Sequence, residues 1–104
     1  SKVYTLAEQM DRGAKVYANN CAACHHANGK GAGAFPALDG SKLVMGPKAT
    51  NYKILINGKG AMPKWGGVIS DGELAAVMTY TRNAWGNKTG DVIQTQEFAT
   101  ARAA

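Results

Sequence analysis

The stretch Cys21-Ala22-Ala23-Cys24-His25-His26 gathers both cysteines and both histidines of a 104-residue chain into six consecutive positions. Three chemistries use such a cluster: thiol–disulfide exchange, metal binding by four side chains, and covalent anchoring of a haem. A Cys-x-x-Cys oxidoreductase sets its motif at a helix start beside a βαβ pattern, and no alternating, strand-like run occurs in this chain. A structural zinc site takes four ligands, usually as two separated pairs. No second Cys or His pair lies downstream, and four ligands this close together would strain a closed tetrahedron. Haem attachment needs only what is present. Two residues between the cysteines let the backbone turn enough to bring both sulfurs along one porphyrin edge, and the histidine after the second cysteine can direct its imidazole to the iron.

The other face of that iron is tested within the same sequence. His26 is adjacent to His25 and cannot reach across the ring, which leaves the four methionines. Met10 and Met78 fall on the inward stripes of two helical segments, where a flexible thioether serves as core packing. Met45 follows Leu43 and Val44 in a loop and stays open as a candidate. Met62 lies in Gly60-Ala61-Met62-Pro63, a segment free of helix, able to approach a cofactor closely through its glycine and stiffened by its proline. Imidazole on one side and thioether on the other give a six-coordinate iron with a raised potential. Such an iron passes electrons and has no open position for oxygen or substrate.

Around the motif, the spacing predicts helices. Thr5 and Glu8 form a capping-box pair, and Leu6, Met10, Gly13, Ala14 and Tyr17 recur at three- and four-residue steps over 5–19. Glycine inside a helix costs about 1 kcal/mol against alanine, so Gly13 on the apolar face predicts a close crossing by another helix. Residues 28–46 are glycine-rich and aperiodic, the pattern of a loop wrapped over something other than its own core. A short helix comes next over 50–57 with Tyr52, Leu55 and Ile56 inward and Gly58 as its stop. Ser70 and Glu73 make a second capping box, with Leu74, Val77, Met78, Thr81 and Trp85 at helical spacing up to Gly86. Beyond it the chain is polar, with at most a last turn or two near Phe98. The expectation is an all-α, single domain over 1–104, with 1–4 as an N-terminal extension and 89–104 as a C-terminal tail.

Composition agrees with a cofactor-dependent core. A domain of this length hides roughly 65% of the surface its unfolded chain exposes, and 13 glycines with 8% aromatic residues leave little bulk to fill it. Twelve Lys and Arg against seven Asp and Glu give a net charge of +5. The basic residues are scattered singly, with no cluster and no aromatic-basic interleaving, so nucleic acid is excluded as a partner; most charges read as a solvated face, a minority as guides for docking. No stretch approaches the ~18 apolar residues of a membrane span, and residues 1–13 have neither the basic start nor the apolar run of a signal peptide.

From about Ala7 to Trp85 the residues resemble class I c-type cytochromes. The likeness rests on Gly13-Ala14-Lys15-Val16-Tyr17, Cys21-Ala22-Ala23-Cys24-His25, Phe35-Pro36-Ala37-Leu38-Asp39-Gly40, the Met62-Pro63 loop, and the last helix with Tyr80. The resemblance implies the cytochrome c fold, three to five helices wrapped around one haem c bound covalently through Cys21 and Cys24, with His25 and Met62 on the metal. It implies that the first and last helices cross at Gly13 beside Tyr17 and Tyr80. It implies also that the Pro36 carbonyl accepts a hydrogen bond from the non-ligating nitrogen of His25. Two positions depart from the common pattern: His26 after the motif, and Lys64-Trp65 after Met62-Pro63, where Trp65 either packs on the haem or hydrogen-bonds a propionate through its indole nitrogen.

The ending from Tyr80 to Asp91 resembles the cytochrome c domain fused to subunit II of some bacterial cytochrome c oxidases. Arg82 to Trp85 also serve simply to close the helix and cover the haem edge. Three functions are thereby expected. One is an electron-entry domain of a haem-copper oxidase subunit II, without catalysis of its own, passing electrons from a donor cytochrome or membrane complex to the copper centre of its parent. The second is a free periplasmic monohaem shuttle. The third, of another class, is a gas-binding haem sensor or peroxidase, which requires Met62 off the iron. The resemblance places the domain in the periplasm, tethered to the inner membrane if it belongs to a longer oxidase polypeptide.

Overall fold

The computed structural model describes residues 2–104, and these form five α-helices and one 3₁₀ turn, with no β-strand among the described residues. Helix α1 spans Leu6–Asn20, α2 is the single turn Ala22–His25, α3 spans Lys48–Asn57, the 3₁₀ turn is Trp65–Gly67, α4 spans Asp71–Asn83 and α5 spans Thr95–Ala103. The all-helical expectation holds. Both capping boxes form: Thr5 Oγ1 accepts from Glu8 N and Ser70 Oγ from Glu73 N, each at 3.1 Å, and the two glutamates accept in return from the cap backbones. Each satisfies two amides that a helix start otherwise leaves without partners.

Helices α1 and α4 cross at Gly13. A Cβ at that position would stand 2.2 Å from Ala76 O and 2.6 Å from Tyr80 Cβ, so the backbones touch where the glycine sits. Val16, Tyr17 and Val77 fill one side of the crossing, with Tyr80 and Trp85 packed against them. The three rings meet at tilted and edge-on angles, with centroids 5.3 to 5.7 Å apart. Offset and edge-to-face arrangements of this kind suit the aromatic quadrupole.

The inward face of α1 differs from the expected stripe. Leu6 is 38% exposed and Met10 and Ala14 are only partly buried, whereas the polar Gln9 is fully buried. Its amide donates to Ile93 O at 2.7 Å and its carbonyl accepts from Arg12. A satisfied amide tolerates burial as an apolar group does, and apolar periodicity cannot register it.

The C-terminal region departs further. Helix α4 ends at Asn83, not Gly86, because its last carbonyls are taken by the chain just downstream. Asn87 Nδ2 donates to Thr81 O at 2.8 Å and Thr89 N donates to Arg82 O at 3.1 Å. Ala84 is extended, and Trp85 adopts φ 56, a left-handed conformation that bulky side chains rarely take. The polar stretch read as a tail carries the nine-residue helix α5, whose Phe98 is fully buried with Ile93, Leu74, Ala75 and Met78. Thr79 fastens this segment to α4, its Oγ1 accepting from Ile93 N at 2.9 Å while donating to Ala75 O. Residues 28–46 are a succession of turns, and with α3 and the loop before α4 they wall a cavity.

Candidate functional site

That cavity holds about 500 Å³ and its walls are predominantly apolar. Cys21, Cys24, His25, Pro36, Met62 and Trp65, the six residues nominated from sequence, all line it. Of the four methionines, Met62 alone does so. Met78 is buried in the core between α4 and α5, and neither Met10 nor Met45 reaches the cavity wall.

The motif is positioned by the end of α1. Cys21 caps that helix, its N–H donating to Tyr17 O at 2.8 Å, and the chain turns at once into α2, where His25 N donates to Cys21 O at 3.0 Å. One helical turn thus sets both thiols and the imidazole on the same wall, and the cysteines are not joined to each other. Burial, helped by the neighbouring Cys24, pushes the Cys21 thiol up to about 11.

Two aromatic residues hold the backbone just beyond the motif. Tyr17 Oη donates to His26 O at 2.6 Å, and Trp85 Nε1 donates to Ala27 O at 2.9 Å. His26, at φ 64, makes the sharp exit from the motif and is itself exposed. His25 Nδ1 lies 2.9 Å from Pro36 O. A carbonyl only accepts, so Nδ1 carries the proton and Nε2 keeps its lone pair for a metal.

Met62 closes a tight turn in which Met62 N donates to Lys59 O at 3.0 Å and Lys59 N to Met62 O at 3.3 Å. Gly58 permits that turn: it has φ 75, and a Cβ there would fall 2.5 Å from Met62 O. Trp65 lines the cavity on one side and packs against the α4–α5 core on the other.

Several wall residues had no sequence signal as site residues. Leu43, Val44, Ile54 and Leu55 supply apolar surface, and Phe35 and Leu43 remain 45% exposed as part of that wall. Asn51, 8% exposed in the middle of α3, donates its amide to Leu43 O at 3.0 Å and so ties the 28–46 loop to the helix. A polar residue among Tyr52, Ile54 and Leu55 was the available clue. The donor set fits a haem c: two thiols for thioether links, one imidazole nitrogen and one thioether sulfur for iron, and apolar walls for the porphyrin faces. A cavity of this size is also in the range of about 300–1,000 Å³ that holds cofactor-sized ligands.

Comparisons with known proteins agree. Residues 8–80 match the family model described as cytochrome c oxidase, cbb3-type, subunit III. The chain is 35% identical to the cbb3-type cytochrome c oxidase subunit CcoP of Azospirillum brasilense, over 85% of its own length and 32% of that protein. It is 30% identical to the cytochrome c subunit of the quinone alcohol dehydrogenase of Gluconobacter oxydans, over 90% of its length and 22% of that subunit. Against cytochrome c6 of Euglena gracilis it is 35% identical, over 72% of its length and 97% of the relative. The chain therefore spans a third or less of the first two relatives and nearly all of the third. With the motif, the helix crossing and the cavity in agreement, this chain belongs to the class I c-type cytochromes, in the family of that cbb3-type model.

Proposed function

We propose that this domain carries single electrons through one haem c, which Cys21 and Cys24 would hold by thioether links and whose iron His25 and Met62 would ligate. The reading is supported above all by one observation: the two thiols, the imidazole and a single methionine, distant in sequence, line one apolar cavity. Bound there, the haem supplies a one-electron Fe(III)/Fe(II) couple. The protein's own residues do the rest. Pro36 O holds the proton on Nδ1 and so keeps Nε2 as the donor. The turn at Gly58 to Met62 holds the sulfur in place, and a ligand that favours the reduced state raises the potential. Leu43, Val44, Ile54 and Leu55 keep water from the walls, which raises the potential further by disfavouring the more highly charged ferric state.

As a cytochrome c domain it is an electron carrier, not a catalyst, and its partners are redox proteins. A haem sensor or peroxidase would need an open position on the iron, and Met62 on the cavity wall speaks against it. We assign the domain to the periplasm. Its likeness to membrane-oxidase and dehydrogenase subunits, of which it spans only a part, supports an electron-carrying module of a larger, membrane-tethered respiratory polypeptide. The oxidase relatives named are cbb3-type subunits, so the narrower reading, entry domain of a subunit II feeding a copper centre, has the Tyr80–Asp91 ending alone behind it. The near-complete overlap with a cytochrome c6 supports the other reading, a free shuttle. Membrane helices and a copper-binding Cys/His cluster encoded upstream would decide for subunit II.

Met62→Ala tests the electron-transfer reading. The expected result is a lower midpoint potential and prompt carbon monoxide binding by the reduced protein, while Met45→Ala leaves both unchanged. A parent protein that already binds carbon monoxide promptly and is high-spin when ferric overturns it.

A further inference from the structure

Arg82 is 4% exposed, although its guanidinium is charged at every accessible pH. Its Nη1 donates to Val44 O at 2.9 Å and Gly46 O at 2.8 Å, and its Nε and Nη2 donate to Asp91 Oδ2 at 3.2 and 2.6 Å. Val44 lines the cavity, as does Thr81, the residue before Arg82 on α4. The guanidinium therefore lies one residue behind the cofactor wall, bonded to its backbone. Other charges stand close by but are engaged elsewhere: Lys48 pairs with Glu97 at 3.6 Å, and Glu97 also accepts from Tyr52 Oη at 2.6 Å. Asp91 is the one carboxylate paired with Arg82 among the described residues.

A buried cation needs a partner, and its field reaches further in a protein interior than in water. We propose that Arg82 and Asp91 form a positioning and charge-balancing pair for the cofactor pocket: the guanidinium pins the wall at Val44 and the chain just beyond it at Gly46, and Asp91 cancels the field that the guanidinium would otherwise place on the iron. The inference rests on the haem reading above. Oxidised iron carries one more positive charge than reduced iron, so an uncancelled Arg82 disfavours the oxidised form and raises the midpoint. Removing the cation and leaving Asp91 does the reverse. A purely structural pair behaves differently, because loosening the wall admits water, which favours the oxidised form whichever partner is removed.

The test is spectroelectrochemical titration of the haem-loaded protein at neutral pH, with the ferric methionine–iron absorption band recorded for each variant. Asp91→Asn is expected to raise the midpoint, Arg82→Gln to lower it, and Arg82→Lys to stay close to the parent, all with the band retained. Midpoints that move in the same direction in Asp91→Asn and Arg82→Gln overturn the proposal, and so does loss of the band in Asp91→Asn. Asp91→Asn leaves the bonds to Val44 and Gly46 in place, so it decides alone if Arg82→Gln does not fold: an upward shift supports the proposal, and no shift or a downward one sinks it. Failure of the haem reading would look different, as a protein with two free thiols and no pigment.

Discussion

Gly13→Ala is a sharp test of how this fold is held together. A methyl group at that position would stand 2.2 Å from Ala76 O, 2.6 Å from Tyr80 Cβ and 2.8 Å from Ala76 C, where ordinary contact begins at 3.4 Å. None of these atoms is the tip of a flexible side chain, so the helices must part by about 1 Å in a close-packed interior. Overpacking of this kind costs about 1–3 kcal/mol, and the upper end applies because the whole crossing at Val16, Tyr17 and Val77 must shift. The better helix propensity of alanine returns about 1 kcal/mol. The net loss is about 2 kcal/mol, which for a domain of this size lowers Tm by roughly 8–16 °C. Thermal unfolding of the haem-loaded protein, followed by far-ultraviolet circular dichroism, reads it directly. Gly67→Ala is the control: nothing lies within 4 Å of a Cβ there, and a change within about 0.5 kcal/mol is expected. A Gly13→Ala protein that melts at or above the parent temperature would refute the close-crossing argument.

Asn87, fully buried, accepts from Gly40 N at 2.8 Å and donates to Leu38 O at 2.9 Å and Thr81 O at 2.8 Å. Asn87→Ala leaves Gly40 N and Thr81 O without partners, at about 1 kcal/mol each, while Leu38 O keeps the Ser41 N–H at 3.1 Å, so the urea midpoint should fall by about 1 M; an unchanged midpoint would mean water replaces the amide. Acid stability carries a definite sign. Glu8 is held below its ordinary 4.5 mainly by the hydrogen bond from the Thr5 backbone, and Asp91 below its ordinary 3.8 mainly by the hydrogen bond from Arg82. Groups depressed in the folded state contribute stability above their unfolded values and lose it as pH falls through the folded ones. Tm is therefore expected to hold steady above pH 4.5 and to drop below 3.8, and Asp91→Asn should flatten part of that drop.

The site was more legible than the core. Cys21, Cys24 and His25 point to haem attachment from sequence because that chemistry demands a local spacing, which one turn of backbone can satisfy without help from the rest of the fold. Met62 stood out as the candidate on the facing side because a ligand loop is expected to carry glycine and proline beside the donor. The capping boxes at Thr5 and Ser70 were visible for the same reason, being exchanges between residues three apart. Gln9, Arg82 and Asn87 were not legible. Each is polar, and each is buried because a carbonyl or carboxylate from a distant segment accepts from it: Ile93 O for Gln9, Val44 O and Asp91 for Arg82, Leu38 O for Asn87. Helix α5 was read as no more than a turn or two near Phe98 for a related cause, since that one buried ring anchors it and the rest is alanine and polar side chains without an apolar stripe.

Sequence alone carried the attachment motif, the all-helical class and the starts of α1 and α4, since each is written in residues close to one another along the chain. Tertiary structure alone decided where α4 stops and that a buried guanidinium backs the pocket wall, and it brought Met62, already favoured by its loop, to the cavity wall that Met45 does not reach. Those outcomes depend on which distant backbone groups meet, and periodicity along a chain holds no record of a partner across it.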